Sequence, residues 1–531
     1  MTDATRRESR RARPDRMLAI ALDAAEWSLV ERWARDGTLP HLARLLEQGT
    51  HGRLASTAGW LAGTPWPSFY TGRYPPDHGF LFHLQWRPDR MRHERPSHDW
   101  LPLTPFYRRF GQFGRRVIAI DVPITYPAGG AFDGIEVTSW STHDKIAPTV
   151  SRPPHVMAWI NREFGTEPIT IESGGLQAVR PLLRLRDELV RSADREAALC
   201  EALMQRERWD FFLIALGGAH RGGHKLWDRT SVEGRMSPDE AAEYDRALRD
   251  VYVACDATVG RIVRAAGPDV ITLVFALHGM WQSTSRYDLL PEMLERVLTD
   301  RRESLAAMEP KHRLLRRLRS VVPLEWRTSV KQRLPERLQD VLSRFWRGVD
   351  ARDWSRTRAF WLMGDLQALV QINLRGRERQ GIVEPGHEYD TLRERVADGL
   401  LTFRDADSGE RLVQAIGRGD TLYPEARSTV GLPDLVVRWN DTPCVTHRAI
   451  VSPRYGTIDW PSPGHPLDGR SGHHGPDGWL IAAGGPFPAG AELRDLSIFD
   501  LNATIHALLD VPRPPEMIGE PPRELRREAL R

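Results

Sequence analysis

Cysteine is scarce in this chain. Its 531 residues hold three, Cys200, Cys255 and Cys444, far apart and without a CxxC pair. That excludes a disulfide scaffold and makes a reducing compartment, the cytoplasm, the expectation. Long hydrophobic runs are missing as well. No stretch reaches 18 apolar residues, so no transmembrane helix is expected. No apolar segment precedes Met17, which argues against a secretory leader. Neither sign of charge dominates. Lys and Arg number 74 against 71 Asp and Glu, a net charge of +3. The balance is too even to indicate a nucleic acid or an anionic membrane as partner. Lysine itself occurs only at positions 145, 225, 311 and 331. This bias toward arginine, with abundant Ala and Pro, suggests a GC-rich bacterial genome. What is present, 41% hydrophobic and 27% charged residues, is the balance of a globular protein with a sizeable core.

Residues 1–16 read as a disordered basic tail. Short apolar runs then recur: MLAIAL from Met17, VIAI from Val117, FFLIAL from Phe211, VITLVFAL from Val270 and WLIAA from Trp479. Bounded by Gly, Pro and polar residues, they read as buried strands. Helical spacing appears between them, at Leu39–Gln48 and Asp187–Arg208. The alternation predicts an α/β fold with a mostly parallel central sheet flanked by helices. The expected plan is a core over 17–299, a helical cap insertion over 300–356, and the rest of the core over 357–522. In the cap region dense Arg alternates with Leu315, Leu318, Leu334 and Leu338, and Pro323 and Pro335 divide it into short helices.

The chemistry concentrates at strand ends. Asp23 follows MLAIAL, His220 and His224 follow FFLIAL, His278 closes VITLVFAL, and His473 and His474 precede WLIAA. Ligands of open α/β sheets bind at the carboxyl ends of the strands. Metal-ligating side chains on several such ends therefore point to one metal site. Two imidazoles four residues apart can share a metal on one helical turn or across a tight loop. Gly222 and Gly223 between them suggest backbone freedom to do so. A His-rich set with Asp suits Zn, Mn or Fe better than Ca or Mg.

Four stretches resemble the type I phosphodiesterase/nucleotide pyrophosphatase family of the alkaline phosphatase superfamily. They are MLAIALDAAEW, TPWPSFYTGRYPPDHG, the pair ALGGAHRGGHKLWD and ALHGM, and SGHHGPDGWLIAAGGP with the segment SIFDLNATIHALLD after it. The resemblance implies an alkaline phosphatase-like fold and hydrolysis of phosphodiester or pyrophosphate bonds in a small-molecule phosphoester. It also implies a site for one or two Zn ions, with Mn as an alternative. Carried over, Asp23, His220, His224, His278 and His474 fall on metal-ligand positions, with His473 competing with His474. His83 falls near a phosphoryl hydrogen-bond donor.

The departures are as informative. Leu277 stands where the family has an Asp, and Ala62 stands at the usual nucleophile position. Three readings stay open. Thr64 serves as nucleophile, with another residue (Asp121 is one candidate) supplying the lost carboxylate. Alternatively, one ion held by His220, His224 and His474 activates water. Or catalysis is lost and the chain binds a phospho-ligand or metal only. Sulfate- or phosphonate-ester hydrolysis and phosphoryl-type transfer are the alternative chemistries on this fold. The sequence sets no oligomeric state.

Overall fold

The computed structural model describes residues 16–127, 132–142, 145–166, 175–301, 352–428, 431–460, 463–466 and 468–522. The expected basic tail, and the expected cap apart from its two ends, lie outside the described residues.

A nine-stranded sheet organises the chain. Its order is Glu492–Ser497, Thr50–Ala55, Asp477–Ala483, Ile271–Ala276, Met17–Leu22, Phe211–Leu216, Val117–Ile120, Gly134–Thr138 and Val150–Arg152. Seven strands run one way. Asp477–Ala483 and the edge strand Val150–Arg152 run against them. This is the mostly parallel sheet that the apolar runs predict.

The central strand shows why its sequence is apolar throughout. Successive side chains of a strand point to opposite faces. Leu18, Ile20 and Leu22 join one core, and Met17, Ala19 and Ala21 join the other. The first core lies under the helices Val179–Arg206, Gly218–Leu226 and Pro238–Ala266. The second lies under Pro65–Thr71 and Ile498–Leu508. With both faces covered, no position tolerates a polar residue, and each buried Leu or Ile contributes about 1.5–3 kcal/mol. Ile498–Leu508 starts with a capping box, in which Ser497 Oγ accepts from the Asp500 N–H and Asp500 accepts from the Ser497 N–H. Such a cap is worth about 1 kcal/mol.

The stretch 357–522 is divided rather than uniform. Residues Ala359–Leu362, Ala368–Ile372, Leu435–Trp439 and Val413–Arg418 form a separate four-stranded antiparallel sheet. Together with the helices Leu290–Thr299 and His387–Leu401 it has its own core, around Val370, Val396 and Val437. The chain rejoins the central sheet only at Asp477. This second unit escapes a search for continuous apolar runs because its strands are short and partly exposed, as in VQAIGR of Val413–Arg418.

Candidate metal centre

Three strand ends and one antiparallel strand start bring the site together. Asp23 follows Met17–Leu22. His220 and His224 lie on the helix Gly218–Leu226, which starts two residues beyond Phe211–Leu216. His278 follows Ile271–Ala276. His473 and His474 are held by antiparallel pairing with Met280–Gln282, Met280 opposite His474 and Trp281 opposite His473. Because Asp477–Ala483 runs against its neighbours, its start lies at the same end of the sheet as their carboxyl ends.

The glycines between His220 and His224 act differently from the expectation. The segment is helical, and four residues of helix bring the two rings onto one face. A Cβ on Gly223 would come within 2.8 Å of the Met280 side chain. A Cβ on Gly472 would come within 2.1 Å of the Gly223 carbonyl oxygen. Gly223 and Gly472 serve close packing of the helix on the paired strands Met280–Gln282 and Gly472–His474, and Gly222 packs at ordinary distance against Leu248 and Val251.

The three imidazoles converge through the same ring nitrogen. His220 Nε2 lies 3.0 Å from His224 Nε2 and 2.8 Å from His474 Nε2. All three histidines are buried. Their other nitrogens face outward partners. His224 Nδ1 donates to the Gly472 carbonyl at 2.9 Å, and His220 Nδ1 lies 2.6 Å from Asp23 Oδ2. His474 Nδ1 lies 2.9 Å from Asp365 Oδ2. An acceptor at Nδ1 fixes the proton there in the neutral ring and leaves a lone pair on Nε2. Burial, then Arg470 and the neighbouring histidines, push the His224 pKa well below its ordinary value. The ring is therefore neutral, as a ligand must be. The three nitrogens form a group able to hold one metal ion. Their spacing is close to the roughly 3.3 Å separation that tetrahedral Zn–N bonds of about 2.0–2.1 Å require.

Asp23 is differently placed. One carboxylate oxygen faces His220 Nδ1, and the other accepts from the Trp66 indole N–H at 2.8 Å. His278 Nε2 is 3.9 Å from the Trp66-bound oxygen. Burial raises the Asp23 carboxyl, but His220, His278 and Trp66 outweigh it and hold the pKa well below the carboxylate range. His278 donates from Nδ1 to the Gly279 carbonyl at 3.1 Å, and burial with His474 nearby takes its pKa down to about 4.

A cleft opens onto this cluster, with about 510 Å³ of space when its open, solvent-filled side is included. Asp23, His220, His278, Asp365 and His474 line its polar end. Ala62, Gly63, Trp66, Phe80, Phe82, His83, Pro123 and Ile124 line the rest. Thr64 is not among the lining residues. It is fully buried, and its hydroxyl lies 2.8 Å from both the Leu61 carbonyl and Thr57 Oγ1. Asp121 is also engaged elsewhere: its carboxylate accepts from the Trp140 and Ser141 N–H groups at 2.7 and 2.8 Å, in a turn where its own φ is +54°. His78 accepts from the Phe80 N–H and lies 3.0 Å from Ser68 Oγ, a structural arrangement.

Two residues at the site received no role from the sequence. Trp66 carries no signal that separates it from a core tryptophan. Asp365 sits in the short turn between Ala359–Leu362 and Ala368–Ile372, where an isolated Asp reads as an ordinary turn residue.

The fold and the site together define an α/β protein with an imidazole-rich, metal-competent centre at the carboxyl edge of its sheet. Residues 17–441 match the family described as type I phosphodiesterase/nucleotide pyrophosphatase. The chain belongs to that family. Among solved structures, it is similar to human ectonucleotide pyrophosphatase/phosphodiesterase 5, at 12% identity and TM-score 0.47 over 95% of this chain and 97% of that one. An inactive variant of the murine protein in complex with AMP gives 12% identity and TM-score 0.46 over 96% and 97%. Phosphonoacetate hydrolase from Sinorhizobium meliloti 1021, in complex with phosphonoacetate, gives 14% and 0.47 over 92% and 94%. No curated protein matches the chain. Among the described residues no helix is long and apolar enough to cross a membrane.

Proposed function

We propose that the chain is a metal-dependent hydrolase of phosphoric esters, cleaving phosphodiester or pyrophosphate bonds with water as the nucleophile. The observation that carries the reading is the convergence of three buried imidazoles, each with Nε2 turned inward and Nδ1 facing a separate acceptor. His220, His224 and His474 would hold the ion, with Zn favoured by the donor set and Mn as the alternative. When bound, such an ion supplies Lewis acidity for the phosphoryl group and for an attacking water.

The protein's own groups supply the rest. Ala62 at the cavity wall has no nucleophilic atom, and the Thr64 hydroxyl is spent on Leu61 and Thr57. His278 Nε2 carries a lone pair in the neutral ring and is assigned to accept a hydrogen bond from the attacking water. His83 is assigned to a phosphoryl oxygen, since it lines the same cavity. The aromatic wall of Trp66, Phe80 and Phe82 excludes water and receives the ester's apolar part. The three cysteines are free and buried, which suits the cytoplasm.

Ala62 and Leu277 favour a second reading, a phospho-ligand-binding protein without turnover. Hydrolysis of bis(4-nitrophenyl) phosphate by the zinc- or manganese-loaded chain separates the two. The expected result is metal-dependent turnover, solvent oxygen in the product, and loss of activity in His224→Ala but not in Thr64→Ala. Retained turnover in His224→Ala would sink the site assignment. Ligand binding without turnover would favour the second reading, and inactivity of Thr64→Ala alone would return the nucleophile to that residue.

A further inference from the structure

We infer that Asp365 is a positioning residue through which the second, antiparallel sheet sets the orientation of the metal ligand His474. The inference rests on the three-histidine reading above, and it concerns a residue that no motif of the chain marks.

The carboxylate is 14% exposed and has three neighbours able to donate. His474 Nδ1 lies 2.9 Å from one oxygen, close but off the ideal hydrogen-bond line. His473 Nε2 lies 3.4 Å and Arg470 Nη1 3.3 Å from the other oxygen. His474 Nδ1 and His473 Nε2 are buried and make no hydrogen bond to any other group among the described residues. Among the described residues, Asp365 is thus the acceptor that lies near both.

The grouping Asp365, His473 and His474 also has the spacing of a metal site. The tautomers argue against that use. His473 Nδ1 accepts from the His474 backbone N–H at 3.0 Å, so a neutral His473 carries its proton on Nε2, the nitrogen facing Asp365. A donor N–H cannot ligate a cation. The same logic gives His474 its proton on Nδ1, beside Asp365 Oδ2, and frees Nε2 to face His220.

The turn bearing Asp365 is fixed at a second point. Gln367 Oε1 accepts from the Ala62 N–H at 3.1 Å, and its amide donates to the Ala58 carbonyl at 2.8 Å. One hairpin turn therefore holds both a ligand histidine and the cavity wall that carries Ala62. Outer partners of ligand histidines fix ring orientation and raise ligand basicity, and losing one costs roughly 10–100-fold in metal affinity.

The test is zinc affinity and stoichiometry, measured by competition with a chromophoric chelator on the full chain. The variants are Asp365→Asn, Asp365→Ala and His224→Ala, with thermal unfolding of each metal-free form as the control. The expected result is unchanged stoichiometry, with affinity about 10–100-fold weaker in Asp365→Ala and a smaller loss in Asp365→Asn, whose amide oxygen still accepts. The metal-free unfolding midpoints stay together, which a merely structural role would not give. If His224→Ala loses zinc while both Asp365 variants bind as the parent does, the three-histidine reading stands and this inference falls. If the parent binds two ions and Asp365→Asn binds one, Asp365 is a ligand and the inference is overturned. If the parent binds none, both fall.

Discussion

The two halves of the histidine–aspartate cluster differ in what their side chains are committed to. In one half, His220, His224 and His474 turn Nε2 toward a common point. In the other, Asp23 spends both oxygens on His220 and Trp66, and His278 stands beside the apolar Leu277. Ala62, without a nucleophilic atom, lines the same cavity. The first half has the composition and geometry of a ligand set. In the proposed reading the second half is its support: Asp23 orients an imidazole, and one ion is held without a second.

The largest effect that would break this comparison belongs to the first half. His224→Ala should abolish zinc binding and metal-dependent hydrolysis while circular dichroism stays unchanged. Retention of a full zinc equivalent would place the ion elsewhere. Next is Asp23→Asn. If Asp23 is support, zinc stoichiometry is unchanged and affinity falls about 10–100-fold. Loss of a whole equivalent would make Asp23 a ligand.

The pH dependence sharpens the picture further. Burial first, aided by His474 and opposed by Asp23 at one ring and Asp365 at both, takes His278 and His473 down to about 4 from an ordinary 6.5. The unfolded chain then binds more protons than the folded one between those values. Stability of the metal-free protein is therefore full above about pH 6.5 and declines as pH falls toward 4. Asp23, whose folded pKa is lowered, adds stability that is lost only at more acidic pH. Denaturant titrations from pH 8 to 4 should show this decline, and a flat profile would mean that the histidines are solvated. The smallest effect is expected from Thr64→Ala: activity within about twofold, and a stability loss of about 1 kcal/mol from its buried hydrogen bonds, measured by urea unfolding.

Much of the site was legible in the sequence. Asp23, His220 and His278 sit at or just beyond the ends of apolar strands, where the sheet's parallel run dictates convergence. His224 follows from helical spacing, and His474 from its position before a strand. Asp365 was not legible, because its place depends on a turn in a separate antiparallel sheet whose strands are short and mixed in polarity. The role of Asp23 was legible only as a type, since a carboxylate at a strand end serves equally as ligand or as partner to a ligand. Thr64 illustrates a finer limit. It stands two residues from Ala62 in sequence, yet Pro65 starts a helix there, and Thr64 lies at its N-terminal cap, outside the cavity.

The central claim is a single three-histidine centre, and zinc content of the purified chain tests it most directly. Elemental analysis after dialysis against trace zinc should give one ion per chain, lost in His220→Ala, His224→Ala and His474→Ala alike. Two ions per chain, or one that survives any of these substitutions, would contradict it.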